Sequence, residues 1–154
     1  MEDTAAVAPP IDAAWPAAAP GAVRVVALNV HRLFDENCDT DRCGAGEYEV
    51  TASSAQIAAR TERLAQTFRT LSADVVLVEE VETAPLLDGI ADRLGPGWSR
   101  VLGETGAAAS VDVGVMSRFP ITEVKRHRDR LLTRPDGSIT TFARELLEVH
   151  LDVK

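Results

Sequence analysis

Asn29 and Glu80 are the residues of this sequence whose types and placing could do chemistry together. Asn29 stands near the end of an apolar run, Val23 to Val30, and Glu80 near the end of another, Asp74 to Glu82. An amide oxygen beside a carboxylate makes a hard, oxygen-rich site, which suits magnesium or manganese better than zinc. A metal held there could polarise a phosphoryl oxygen and steady a leaving alkoxide. Spacing alone favours a plainer outcome, in which the Asn caps a turn and the paired glutamates face water.

The elements that must position this pair follow from the apolar pattern. Asp74 to Glu82 reads Asp-Val-Val-Leu-Val-Glu-Glu-Val-Glu, a β-branched run of the kind buried on both faces of a sheet. Carboxylates at its end are costly unless they meet solvent, a cation or a metal. The C-terminal ends of central strands are also where sites collect in layered α/β folds. Between the two strands, Ser53 and Gln56 have capping-box spacing, and Ile57, Leu64, Phe68 and Leu71 share one helical face. A right-handed strand–helix–strand unit would set Asn29 and Glu80 side by side. A second helix is expected from Thr83 or Ala84, with Pro85 in its first turn, Leu86, Leu87, Ile90 and Leu94 buried, and Gly95-Pro96 ending it. Short strands follow at 98–102, 111–116 and 121–126. Pro135-Asp136-Gly137 signals a turn, and 139–153 reads as one long strand or a bent pair.

The polar segment 36–51 carries Asp39, Asp41, Gly44 and Gly46 but lacks the twelve-residue calcium-loop pattern, so a solvated loop is expected. Its Cys38 and Cys43 leave three readings open: two free thiols, a local disulfide that would imply an oxidising compartment, or a zinc half-site. No second Cys/His pair stands at suitable spacing for the last. His31 and His127 are expected on the surface or in loops, His150 within a strand, and Asp112 settling a strand start or a turn.

Length and composition set the outer bounds. The 154 residues fit one domain, 45% hydrophobic and 26% charged, with 5% aromatic. A net charge of −8 excludes a nonspecific nucleic-acid coat, which needs a basic footprint. It leaves a phosphate substrate open, because a bound divalent cation reverses the local field. No apolar run approaches the roughly 20 residues of a membrane span. Residues 1–22 read as a flexible Ala/Pro-rich arm without the basic start of a signal peptide, with a weak lean to an exported protein. The chain stops at Lys154 directly after a strand pattern. The expectation is therefore a truncated piece of a larger domain over 23–154, completed by a further C-terminal portion or a partner chain.

Four stretches in order resemble the endonuclease/exonuclease/phosphatase superfamily, from about Val23 to Val153. Val25 to Asp35 (Val-Val-Ala-Leu-Asn-Val-His-Arg-Leu-Phe-Asp) is similar to its first strand, and Asp74 to Glu82 to its Asp-Val-Val-x-x-Gln-Glu-Val-Glu strand. Val111 to Ile121 (Val-Asp-Val-Gly-Val-Met-Ser-Arg-Phe-Pro-Ile) resembles its next signature, and Phe142-Ala143-Arg144-Glu145 the strand that brings in a phosphate-facing Arg. The resemblance implies a DNase I-like fold, a four-layered β-sandwich flanked by helices, of α/β (α+β) class. It implies Glu80 as a magnesium or manganese ligand, Asn29 as the residue that helps position metal and scissile phosphate, and Arg144 as a substrate-binding residue. The activity implied is metal-dependent hydrolysis of a phosphoester, in a nucleic acid or a small phosphate ester. Glu79 replaces the family's customary Gln, and Leu28 its customary Trp. Only the first half of the family's domain is covered. Its His strand, its Asp-x-Asn segment and its closing Asp-His pair have no counterpart here, so the chain alone is expected to be nearly inactive.

Two other classes stand beside this one. A non-catalytic, family-like scaffold or interaction domain fits the acidic balance and the change at Glu79. A doubly wound nucleotide-binding domain is disfavoured, because no Gly-rich loop follows Val23 to Val30.

Overall fold

The computed structural model describes residues 19–154, so the arm expected over 1–22 lies almost wholly outside the described residues. The elements are β1 (Val25–Leu33), α1 (Ser54–Thr70), β2 (Val75–Val81), α2 (Ala84–Leu94), β3 (Ser99–Gly103), β4 (Asp112–Ser117), β5 (Ile121–Arg126), β6 (Leu132–Thr133), β7 (Ile139–Thr140) and β8 (Leu147–Leu151). The class is α+β, with two helices and three sheets among the described residues. A four-stranded sheet runs in the order β1-β2-β4-β3, and β5-β8 and β6-β7 are two-stranded. β1 and β2 are parallel around α1, as the crossover rule requires, while β4 is antiparallel to both of its neighbours.

Local chemistry fixes the helix starts. Ser53 accepts a bond from the Gln56 N–H, and the Gln56 side chain accepts the Ser53 N–H at 2.8 Å. That reciprocal cap stabilises the helix by about 1 kcal/mol. α2 carries Pro85 in its first turn, where its missing N–H costs nothing.

Both helices cover one face of the four-stranded sheet. Val76, Val78 and Val81 of β2, Val30 and Leu33 of β1, Leu102 and Met116 meet Ala65 and Phe68 of α1 and Leu86, Leu87 and Ile90 of α2. Gly114 lets α2 approach β4. A Cβ there would stand 3.1 Å from both Leu87 and Val78 and 3.2 Å from Leu102. The opposite face is covered only toward β3 and β4, where the β5–β8 pair lies against them: Arg126 donates to the Leu102 carbonyl at 2.9 Å, and Glu145 packs on Gly103.

This one-sided cover corrects the expectation that β2 is buried on both faces. Val25 is 55% exposed and Leu77 is 40% exposed, on the side the helices do not reach. The stretch 139–153 is the bent pair of the two expected readings, not one long strand. β7 joins β6, β8 joins β5, and the bend at 143–144 separates them. Arg144 therefore stands in that bend rather than on a strand. No helix of the described residues is long and apolar enough to cross a membrane.

Candidate functional site

The site is built on a double irregularity where β1 and β2 end. Up to Asn29 and Glu79, which are paired across the strands, the register is regular; the next pair is Leu33 with Val81. β1 thus spends three residues where β2 spends one. His31, Arg32 and Glu80 accommodate this with positive φ of 58°, 53° and 68°. Such angles are uncommon for residues with a side chain and mark a bulge held by its surroundings. The apolar spacing shows why. Val30 and Leu33, like Val78 and Val81, are both buried although three residues apart, so an extra residue is ejected between them. In β2 that extra residue is Glu80.

Three sets of bonds hold the bulge. Asn29 Oδ1 accepts the His31 N–H at 2.8 Å. Glu80 Oε2 accepts the Arg32 N–H at 2.9 Å. Arg60, reaching from α1, donates to the carbonyls of Val30 at 2.6 Å, Arg32 at 3.1 Å and His31. Three carbonyls turned toward one guanidinium use the planar fork of donors that arginine presents. Burial lowers the pKa of Arg60, and the nearby Arg63 lowers it further.

Glu80 is held below the usual carboxylate range. The largest cause is hydrogen bonding from the Asn29 side-chain amide; partial burial opposes it, and the Arg32 N–H and the charges of Arg144 and His31 add to it. Asn29 and Glu80 are therefore brought together, as expected, with Asn29 acting directly on the carboxylate. Arg144 is exposed and makes no hydrogen bond or ion pair among the described residues, yet its charge bears on Glu80. Glu79 is exposed beside Asn29. His31 is at the surface, as expected, but close enough to Glu80 to bias its ionisation.

Around Glu80 the described residues offer one carboxylate. Magnesium is commonly held by one or two carboxylates, with waters and substrate phosphates filling the remaining positions. Glu80 supplies one ionised carboxylate, and among the described residues it belongs to neither group of three metal-ligating side chains.

His150 is exposed on β8, with Nε2 2.6 Å from Glu148 and Nδ1 3.3 Å from Glu123. His127 meets the other Glu148 oxygen at 2.9 Å. Neither contacts Glu80. Asp112 starts β4 as expected, buried, accepting from the Thr105 N–H at 3.1 Å and the Ser110 hydroxyl at 2.8 Å.

The segment 36–51 is the largely exposed loop expected of it, held by a disulfide and one buried carboxylate. Cys38 and Cys43 form a disulfide, which removes the free-thiol and zinc readings. Glu49 is 1% exposed. It accepts the N–H groups of Asp39 at 2.6 Å and Thr40 at 2.9 Å, and the Thr40 hydroxyl at 2.6 Å. Burial works to raise its pKa, but these donors outweigh it and hold it low. Glu82, just beyond β2, is 5% exposed and accepts the Asp35 N–H at 2.7 Å. Burial pushes its pKa up to about 7, reinforced by the charges of Asp35, Asp39 and Glu49. The signal for this second cluster is a buried polar contact between distant segments, which local periodicity does not carry.

Neither a protein-family model nor a curated protein sequence matches the chain.

Proposed function

We propose that the Glu80 bulge is the metal end of a phosphoesterase centre, in a domain of the endonuclease/exonuclease/phosphatase type with its four-layered sandwich. The observation that carries this reading is an ionised Glu80, oriented by Asn29 and the Arg32 N–H, with the exposed cation of Arg144 free to meet an anion beside it. Glu80 holds a magnesium or manganese ion, which supplies Lewis-acid polarisation of the phosphoryl oxygen. Asn29 fixes the carboxylate through its side-chain amide. Arg144 offsets the negative charge of the phosphate. The general base and the other phosphate ligands belong to whatever completes the sheet, a further portion of chain or a partner. The exposed outer face of β1 and β2, with Val25 and Leu77, supports that part of the reading. The acidic net charge favours a small phosphate ester or short nucleic acid over long duplex DNA.

A second reading, a non-catalytic scaffold of the same type, is favoured by one observation: Glu79 adds a negative charge where phosphate would approach. Hydrolysis separates the two. With magnesium present and the sheet completed by a further portion of chain or the partner, the protein should cleave DNA or a small phosphodiester such as bis(p-nitrophenyl) phosphate. Glu80→Ala should lower the rate by about 100-fold or more, the scale on which a principal transition-state contact acts. Equal rates for the completed wild-type and variant domains would overturn the phosphoesterase reading, and a completed wild-type domain without metal-dependent cleavage would favour the scaffold.

A further inference from the structure

We propose a second divalent-cation site, for calcium, formed by Asp39, Glu49 and Glu82 at the base of the disulfide-closed loop. One carboxylate oxygen from each residue lies within 4.8 Å of the other two. Two oxygens bound to one calcium ion at 2.3–2.6 Å can be up to about 5 Å apart, so these three lie close enough for one ion to draw together.

Acidic side chains often gather on surfaces without any ion, and here burial makes the difference. Glu82 is 5% exposed and Glu49 is 1% exposed. Glu82 Oε2 is engaged by the Asp35 N–H, while Glu82 Oε1 is fully buried and has no hydrogen-bond partner among the described residues. A buried carboxylate oxygen left without a donor is expensive, and a cation is the partner its neighbours suit. No basic side chain takes that part. The adjoining cleft, about 430 Å³, is lined by Asp39, Glu82, Thr83, Glu104, Gly106 and Ser110 along with two alanines. It gives a hydrated ion a route to Glu82 through an acidic wall, which raises the local cation concentration. An all-carboxylate donor set is hard, and a surface cleft with room for waters favours the larger, geometrically tolerant calcium over magnesium.

The ion would tie three separate parts of the chain together. Asp39 lies between Cys38 and Cys43 in the disulfide loop, and Glu49 anchors that loop by accepting the Asp39 and Thr40 N–H groups. Glu82 follows β2, two residues beyond Glu80, and its N–H donates to the Leu33 carbonyl at 3.1 Å. Calcium would therefore brace the bulge that carries Glu80 without entering its chemistry. The site stands on its own geometry and not on the phosphoesterase reading.

The test is thermal unfolding of the full chain titrated with calcium chloride at constant ionic strength, with isothermal titration calorimetry for affinity. The expected result is a saturable rise in Tm and one calcium bound, with affinity weakened about tenfold or more in Asp39→Asn, an exposed position whose change spares the fold, and likewise in the isostere Glu82→Gln. Glu80→Gln should keep the calcium response, which separates this site from the proposed magnesium centre. The proposal is overturned by a Tm that does not respond beyond matched sodium chloride. It is also overturned by a response that persists undiminished in Asp39→Asn and Glu82→Gln, or by one that Glu80→Gln abolishes.

Discussion

Arg60 is the residue on which the Glu80 geometry leans most. Its guanidinium is the common donor to the carbonyls of Val30, His31 and Arg32, the segment of β1 that turns away from the sheet. Arg60→Met keeps the aliphatic stem and removes the donors, leaving three half-buried carbonyls to find water. The expected cost is about 1–3 kcal/mol in chemical denaturation, together with weaker manganese binding at Glu80, because the Arg32 N–H that Glu80 accepts is released with the bulge. An unchanged metal affinity would mean that Arg60 holds the fold and not the site.

At the scale of elements, the strand–helix–strand unit was legible and its ends were not. Ser53 and Gln56 announced α1, and Val76 and Val78 announced β2, because caps and alternation are local signals. The bulges could have been found as breaks in that alternation: Val26, Leu28 and Val30 run in steps of two and Leu33 breaks step, as Val81 does after Val78. A continuous apolar run was instead read as burial on both faces, and Leu77 shows the limit of that inference. Glu49 and Glu82 lay beyond reach, since their burial depends on hydrogen bonds to segments near in space. The disulfide was one of three readings that spacing left open.

The β5–β8 pair offers a prediction of its own. Glu148 is pulled from its ordinary 4.5 down to about 2, first by hydrogen bonding with His150, then with His127 and Lys125. A carboxylate depressed in the folded state stabilises it above the unfolded value and loses that contribution as pH falls from about 4.5 toward 2. The β5–β8 pair should loosen across that window. Glu148→Gln should flatten this part of the stability–pH profile while changing stability little at neutral pH, where exposed pairs contribute modestly. Hydrogen exchange at β8 amides as a function of pH is the measurement. An identical acid profile in the variant would remove Glu148 from the explanation.

At the scale of the molecule, two acidic sites flank the same strand end. Glu80 is half-buried at the bulge, beside an exposed cation; Glu82, two residues on, is buried beneath the disulfide loop. The alternation of β2, broken once, separates a carboxylate offered to solvent from one withdrawn from it. The division of labour proposed here, a labile magnesium or manganese ion at Glu80 and a bracing calcium at Glu82, rests on that difference in exposure.

Manganese is paramagnetic and broadens the nuclear resonances nearest to it, so it reports directly where the labile ion sits. With calcium in excess to fill the buried cluster, substoichiometric manganese should broaden the Asn29 side-chain amide and the backbone amides of Arg32, Glu79 and Glu80. Glu80→Gln should abolish that effect. Resonances near Asn29 and Glu80 that stay sharp while others broaden, or broadening there that survives Glu80→Gln, would contradict a metal centre at Glu80.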